Sequence, residues 1–245
     1  MTDSVHVASL ESSGRAALPA LQEHHVAGWL LRISGGDTKR VNSANPLGPH
    51  APVEEVRSAA ERLYAAHGLP CRFRLTPLAH HRADAALAYA GYQAIDRSFT
   101  MVAPSTRGTV DPALTITDRP SPDWLERIAP LYDRSPAAAD IQAQLLAAMP
   151  GPMALSLLDE GAGPIAAGYA SIGEGRAQLS DIIVAPSARG RGVGRRLVVG
   201  LLAWAGGEGC REAMLQVLAS NIVARRLYAS LGFVDAYAYH YRVRR

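Results

Sequence analysis

Apolar residues recur along the second half of the chain with two different spacings. Residues 193–205 place Val, Leu and Trp at helical spacing, whereas short continuous apolar runs on either side predict strands. Ser121 followed by Pro122 is a typical helix start, with the serine as N-cap. Strands are predicted at 153–158, 165–172, 178–184, 213–218 and 233–243, and helices after Ser121 and at 141–149, 193–205 and 221–231. This alternation predicts a mixed α/β layer architecture.

The first half of the chain repeats landmarks of the second half at a nearly constant offset. Two pairs lie 141 residues apart and a third lies 140 apart: Gly68 and Gly209, Gly91-Tyr92 and Gly232-Phe233, and Asn45-Pro46 and Ala185-Pro186. On this offset, segments 29–33 and 38–43 correspond to 170–174 and to the strand that ends at Val184. We favour an internal duplication over chance, although glycines after helices are common.

Residues 104–122 are rich in Pro, Ser, Thr and Gly. This composition predicts a linker or a domain crossing, with a short strand possible at 114–117. The sequence therefore predicts an N-terminal domain at 1–104 and a C-terminal domain at 105–245, two lobes of an α/β protein with mixed sheets. Hydrophobic residues make up 48% of the 245 residues, which is enough for a sizeable core.

Composition also excludes several classes of protein. No apolar run approaches the roughly 20 residues that span a bilayer, and residues 1–5 lack the features of a secretory signal. Cys71 and Cys210 stand far apart without a CxxC motif, which excludes a disulfide scaffold and a zinc ribbon and fits a reducing cytoplasm. The net charge of +3 is too weak to indicate nucleic-acid binding. Lys39 is the single lysine among 25 cations, a bias that a GC-rich bacterial genome explains.

One loop has the composition of an anion site. The apolar run at 182–184 leads into three alternating glycines, Gly190, Gly192 and Gly194, and then into the helix predicted at 193–205. Glycine permits close backbone approach to a ligand, and a helix N-terminus offers unpaired N–H groups to a phosphate or pyrophosphate. The sole lysine lies elsewhere, which excludes a Walker A loop, and the glycine spacing does not fit GxGxxG.

Two blocks carry a resemblance to a known family. Arg189-Gly-Arg-Gly-Val-Gly194 follows a strand and fits Arg/Gln-x-x-Gly-x-Gly/Ala, and residues 221–233 fit Asn-x-x-Ala-x-x-Leu-Tyr-x-x-Leu-Gly-Phe. In this order, with a strand between them, the blocks resemble the GCN5-related N-acetyltransferase (GNAT) family over residues 150–243. The resemblance implies tandem GNAT-like halves and direct transfer of an acetyl group from acetyl-CoA, as co-substrate, to an amine.

The resemblance also implies which residues hold acetyl-CoA. These are Ile182, Ile183, Val184, Arg189, Gly190, Arg191, Gly192, Val193, Gly194, Arg195, Asn221, Ala224 and Tyr228. A backbone N–H near Ile183 or Val184 would stabilise the oxyanion, and the Tyr228 hydroxyl would protonate the departing thiolate. Two alternatives stay open: a solvated helix face for Arg195 and Arg196, and a core position for Tyr228. For Asn221, a helix N-cap role is compatible with a coenzyme contact.

The general base is less clearly marked. Gln216 stands where some family members have a glutamate, and an amide is not a base at neutral pH. Asp181, on the strand before the glycine loop, is the candidate base, and Glu174 lies just before that strand. The alternatives are a structural hydrogen bond for Asp181 and proton loss through water alone.

The first half is expected to be a degenerate copy without an active site. Residues 48–53, which correspond to the glycine loop, contain two prolines, and Leu87 stands at the position of Tyr228. Its expected role is to pack against the second half and to wall the acceptor pocket. Trp29, Arg32, Lys39, Arg40 and Asn42 are candidates for substrate contacts or for a solvated sheet face.

The sequence thus predicts a cytoplasmic N-acetyltransferase that acts on a primary amine, with a small-molecule acceptor favoured. A protein N-terminus or lysine is the alternative acceptor, and a non-catalytic acetyl-CoA sensor is the rival from another class. The eight histidines show no metal-ligand spacing, so no metal is expected. Neither a nucleic acid nor a membrane is an expected partner, and the chain is expected to be a monomer or a homodimer.

Overall fold

The computed structural model describes residues 4–49, 52–106 and 110–244. Parts of the predicted N-terminal segment 1–5, of the loop 48–53 and of the linker 104–122 therefore lie outside the described residues, as does Arg245. Within the described residues, no helix is both long enough and apolar enough to cross a membrane.

The described residues form a mixed α/β fold. The strands are β1 (Gln22–Val26), β2 (Trp29–Ile33), β3 (Ala44–Pro46), β4 (Cys71–Leu75), β5 (Gln93–Pro104), β6 (Leu114–Thr117), β7 (Met153–Asp159), β8 (Pro164–Gly173), β9 (Arg176–Val184), β10 (Glu212–Leu218) and β11 (Val234–Arg244). The α-helices are α1 (Ser4–Ala17), α2 (Val53–Ala66), α3 (Ala83–Tyr89), α4 (Pro122–Ile128), α5 (Pro136–Ala147), α6 (Val193–Gly207) and α7 (Ile222–Ser230). Each element predicted in the second half is present. Helix α5, predicted at 141–149, begins five residues earlier and ends two residues earlier, and the other elements differ less at their ends.

All strands join one 11-stranded sheet in the order β1-β2-β3-β4-β11-β5-β10-β9-β8-β7-β6. The last strand of each half lies in the middle of this sheet. Strand β5 of the first half pairs antiparallel with β10, and β11 of the second half pairs antiparallel with β4. The two halves are therefore joined by an exchange of their last strands, and β5 and β11 also pair with each other.

The two halves share a topology. In the first half, α2 connects the parallel strands β3 and β4, and in the second half α6 connects the parallel strands β9 and β10. The glycines that suggested a duplication adopt the left-handed conformation in both halves, with φ of 63° at Gly68 and 84° at Gly209. The duplicated layout and the tandem GNAT-like lobes are thus visible in the fold.

The segment 38–43 is not a strand, contrary to the prediction. Residues Lys39–Val41 form a 3-10 turn, and the strand follows at Ala44–Pro46. The Asn42 side chain accepts from the N–H groups of Ser34 and Gly35, both at 2.9 Å, and donates to the Gly35 carbonyl at 2.7 Å. These bonds replace a strand ladder with a compact loop, so Asn42 has a structural role there.

The predicted linker also contains part of the sheet. Strand β6 (Leu114–Thr117) pairs antiparallel with β7 from Leu114 opposite Leu158 to Thr117 opposite Leu155. The side chain of Ser121 accepts from the N–H of Trp124 at 3.1 Å, so the predicted N-cap of α4 is confirmed.

Helices cover both faces of the sheet. Met101 and Leu215 pack with α6 and α7, whereas their neighbours Val102 and Met214 pack with α1 on the other face. This alternation follows from the two-residue period of a strand. Helices α4 and α5 lie on the same face as α1, over Leu155 and Leu157 of β7.

Candidate active site

Strands β9 and β10 separate part of the way along their length. Their parallel pairing runs from Arg176 opposite Glu212 to Leu179 opposite Leu215 and ends there. Beyond that point β9 contains a bulge, where Asp181 has a φ of 52° and residues 181–182 together face Gly168 of β8. A bulge bends a strand and increases its twist, so it directs the end of β9 away from β10.

The separated end of β9 presents backbone donors to the gap. The N–H of Ala185 donates to the carbonyl of Ile165 in β8. Because successive N–H groups of a strand point to opposite edges, the N–H of Val184 faces the edge toward β10. Of the two predicted donors, the geometry favours Val184 over Ile183. Ile182, Ile183 and Val184 are all partly exposed.

The glycine loop connects β9 to α6 next to this gap. Gly190 and Gly192 have φ of 76° and 77°, which is why glycine suits both positions. The N–H groups of Arg195 and Arg196 donate to the carbonyl of Gly192. Among the recorded backbone hydrogen bonds of the described residues, none uses an N–H of residues 190–194 as donor. The N-terminus of α6 therefore retains the donors that an anion would require.

The four arginines in and next to the glycine loop differ in what they contact. Arg191 pairs with Glu160 at 2.7 Å, and Arg196 pairs with both Asp111 and Glu160. Arg195 instead donates to the Ser230 hydroxyl at 3.2 Å, and Arg189 donates to the carbonyl of Val184 at 3.3 Å. In the described residues, Arg189 and Arg195 form no recorded ion pair, so their charges are available to an anionic ligand.

The second sequence block forms α7 and its ends. The Asn221 side chain caps the helix by accepting from the N–H of Ala224 at 3.1 Å. Tyr228 is 7% exposed, and its ring contacts Phe233 edge-on with a centroid distance of 5.8 Å. Burial raises the pKa of the Tyr228 hydroxyl to about 12. No hydrogen bond of this hydroxyl is recorded within the described residues.

The residues considered for the role of general base lie in contrasting environments. Oδ2 of Asp181 accepts from Nη2 of Arg134 and from Nε2 of Gln142, both at 2.9 Å. Gln216 forms a reciprocal amide pair with Gln178 of the neighbouring strand at 3.0 and 3.2 Å. Glu174 lies outside this cluster and accepts from the Ser12 hydroxyl of α1 at 2.7 Å. Asp181 thus connects β9 to α5 and to the segment before it.

A cleft of about 430 Å³ lies at the open end of the gap, and both halves line it. Lys39 and Arg40 of the first half contribute to its wall, with Lys39 paired to Asp96 at 2.9 Å. Trp29, Arg32 and Asn42 are buried instead and do not line this cleft, so they form neither a solvated face nor part of its wall.

Several residues of the site carried no sequence signal. Asp96 and Ser98 line the cleft from β5, whereas Arg134 and Gln142 hold Asp181 from α5 and the segment before it. Each belongs to no motif and reaches the site only because distant segments meet there. Their proximity to Asp181 depends on tertiary structure that periodicity does not describe.

This fold and site define a GCN5-related N-acetyltransferase: two parallel strands separate beside a glycine loop and a helix N-terminus. Comparisons with known proteins agree. Residues 5–243 match the family model described as "Probable histone acetyltransferase Rv0428c C-terminal". The chain belongs to this family of GNAT acetyltransferases and is an acyltransferase.

Individual relatives cover nearly the whole chain. The uncharacterized N-acetyltransferase YobR of Bacillus subtilis is 29% identical over 245 residues, which are 98% of this chain and 99% of that protein. A GCN5-related N-acetyltransferase from Kribbella flavida has a similar fold, with a TM-score of 0.67, 16% identity and coverage of 96% and 94% of the two chains. A tandem GNAT protein from the clavulanic acid biosynthesis pathway has a TM-score of 0.61, 14% identity and coverage of 88% and 77%.

Proposed function

We propose that this N-acetyltransferase transfers the acetyl group of acetyl-CoA to the primary amine of a small molecule. The observation that carries the proposal is the unpaired gap between β9 and β10, which opens next to the free N–H groups of residues 190–194. A thioester requires a backbone donor for its carbonyl oxygen, and a pyrophosphate requires a cluster of N–H donors. The gap and the loop together offer both.

For the coenzyme, we assign the pyrophosphate to the loop from Arg189 to Gly194. Arg189 and Arg195 would supply positive charge, since neither is neutralised by a recorded carboxylate partner. The oxygen of the Asn221 side chain caps α7, which leaves its NH₂ group for a coenzyme contact. The remaining proposed contacts are Ile182, Ile183, Val184, Gly190, Arg191, Gly192, Val193, Ala224 and Tyr228.

Acetyl-CoA supplies an activated acetyl group, and the chain supplies the donors around it. The N–H of Val184 would stabilise negative charge on the carbonyl oxygen, an effect worth about 3 kcal/mol for one such donor in other enzymes. The Tyr228 hydroxyl would give its proton to the sulfur that leaves, and the resulting phenolate would regain a proton from the water that accepts the proton of the amine. Because its pKa is about 12, this hydroxyl stays protonated at neutral pH and can act as an acid.

The amine of the acceptor must lose a proton before it attacks. For Asp181 we propose the structural alternative, because its carboxylate binds Arg134 and Gln142 and holds the wall of the site. Gln216 is engaged with Gln178 and has no basic atom. We therefore propose that water in the cleft carries the proton away.

We propose a small-molecule acceptor because both halves line the cleft. Its volume of about 430 Å³ lies within the roughly 300–1,000 Å³ that is typical of small-ligand sites. The alternative is a protein N-terminus or lysine, which the family description as a probable histone acetyltransferase favours. We further propose that residues 1–104 bind no coenzyme, since buried Leu87 offers no hydroxyl at the position of Tyr228.

Calorimetric titration with acetyl-CoA, followed by a CoA-release assay, tests the proposal. We expect one binding site per chain and release of CoA with amino acids, polyamines or aminoglycosides. Release with peptides alone would establish the protein acceptor instead. Binding of acetyl-CoA without turnover on any amine would indicate a sensor, and no binding would refute the assignment of the loop.

A further inference from the structure

A second, separate cavity lies behind the acceptor cleft, between α1 and the centre of the sheet. It has a volume of about 20 Å³, and four arginines line it: Arg15, Arg32, Arg40 and Arg74. Glu11 is the single carboxylate among the lining residues. None of these residues belongs to the proposed coenzyme site.

The charges around this cavity are not balanced. Arg74 pairs with Glu11, and Arg32 pairs with Glu23 at 2.9 Å. Arg15 and Arg40 form no recorded ion pair with a described residue; Arg40 donates to the amide oxygen of Gln216 at 2.5 Å. The guanidinium groups of Arg15 and Arg40, both partly exposed, therefore border the cavity without a carboxylate partner among the described residues, and this excess of positive charge favours an anion.

Two donors at this cavity are also unsatisfied. Nη1 of Arg15 and Nε of Arg74 are buried and have no hydrogen-bond partner, and Arg74 is 5% exposed. Both carboxylate oxygens of Glu11 are already engaged, one by Arg74 and the other by the Tyr237 hydroxyl. Guanidinium groups donate hydrogen bonds and never accept them. An occupant that only accepts hydrogen bonds therefore suits this arginine cage, formed by Arg15, Arg32, Arg40 and Arg74, better than water, which must also donate.

The size of the cavity limits what it can hold. A site needs about 10–15 Å³ to hold one water-sized particle, and this cavity offers about 20 Å³. One particle fits, whereas a carboxylate or a phosphate, with three or more heavy atoms, does not.

We propose that this cavity is a binding site for a monatomic anion of the halide class, with chloride as the natural occupant. The anion would accept from Arg15 and Arg74 and would balance the charge of the arginine cage. Arg40 and Gln216 line both this cavity and the acceptor cleft, so the anion would lie directly behind a wall of that cleft. The proposal does not depend on acetyl transfer.

The proposed chloride site is tested by measuring Tm in sodium chloride and in sodium gluconate at equal ionic strength. Gluconate is too large for the cavity, so the comparison cancels general screening by salt. At ten times the Kd, linkage raises the folding equilibrium constant about 11-fold, which raises Tm by about 3–6 °C. Arg15→Gln should abolish this dependence on chloride. The matched control Arg62→Gln removes an exposed helical arginine with no recorded ion pair and should keep the dependence.

Equal Tm values in the two salts for the unmodified protein would overturn the proposal. So would an Arg15→Gln variant that keeps the full response to chloride, because the anion would then bind elsewhere. Crystals grown in sodium bromide give a second measurement that requires no variant. An anomalous peak between Arg15 and Arg74 is expected, and a cavity that holds only water under those conditions would refute the site.

Discussion

Removal of the Tyr228 hydroxyl separates its proposed catalytic role from a structural one. Tyr228 is 7% exposed, and its hydroxyl forms no recorded hydrogen bond with a described residue, so Tyr228→Phe breaks no known interaction. The phenylalanine ring keeps the edge-on contact with Phe233. We therefore expect the free energy of unfolding to stay unchanged or to rise slightly.

The effect of Tyr228→Phe on turnover should be much larger. General acid catalysis contributes about 10²- to 10⁴-fold to a rate, which corresponds to about 2.7–5.4 kcal/mol of transition-state stabilisation. We expect kcat to fall by at least about 100-fold, while the Kd for acetyl-CoA changes little. CoA release with the best acceptor from the amine panel gives kcat, calorimetry gives Kd, and urea unfolding gives stability.

The pH dependence provides a further check on the same residue. With a pKa of about 12, the Tyr228 hydroxyl stays protonated across the usual assay range, so it causes no loss of rate on its alkaline side. Tyr89→Phe is a suitable control, because Tyr89 is 97% exposed and lies in the first half. A folded Tyr228→Phe enzyme with unchanged kcat would refute the acid role. An equal loss of acetyl-CoA affinity would assign Tyr228 to binding instead.

Three further predictions concern binding and stability. Glu11→Gln should lower the free energy of unfolding by about 3–5 kcal/mol, because it leaves Arg74 buried without its carboxylate. Burial raises the pKa of Glu11, but Arg74 and Tyr237 lower it more, to below its usual 4.5. The Glu11 carboxylate therefore contributes fully to the free energy of unfolding above pH 4.5, and this contribution is lost as the pH falls through the lowered pKa of Glu11 in the folded protein. Urea titrations of the unmodified protein that show no such loss of stability at acidic pH would contradict this prediction. Arg195→Gln should weaken acetyl-CoA binding about 10-fold by calorimetry, whereas Arg196→Gln, which removes an arginine already paired with Asp111, should not. Gly173→Ala should lower Tm, because a Cβ there would lie 2.5 Å from the backbone nitrogen of Ala17 in α1; an unchanged Tm would show that α1 shifts freely.

Local signals predicted the second half of the chain well. Helical spacing and the Ser121 cap located α4 and α6, and the alternation of apolar runs located β7 to β11. The glycine loop was found between β9 and α6 as expected. These features depend on residues within one turn or one strand of each other, so they can be predicted directly from the sequence.

Local signals were weaker in the first half. The segment 38–43 is a loop because the Asn42 side chain satisfies backbone groups that a strand would have paired. Helix α1 and strand β1 were not predicted, and four of the five β1 residues are exposed, so β1 has no apolar alternation to detect.

The sequence by itself determined the class of fold, the glycine loop and the family, because each depends on the spacing of a few neighbouring residues. It also indicated the tandem layout, through landmarks that repeat at an offset of 140 or 141 residues. The tertiary structure alone decided that the halves exchange β5 and β11, that Asp181 is held by Arg134, and that four arginines surround one small cavity. These features join segments that are up to about 200 residues apart. Long-range strand pairing and the balance of buried charge determine these features, and neither can be predicted from the spacing of neighbouring residues.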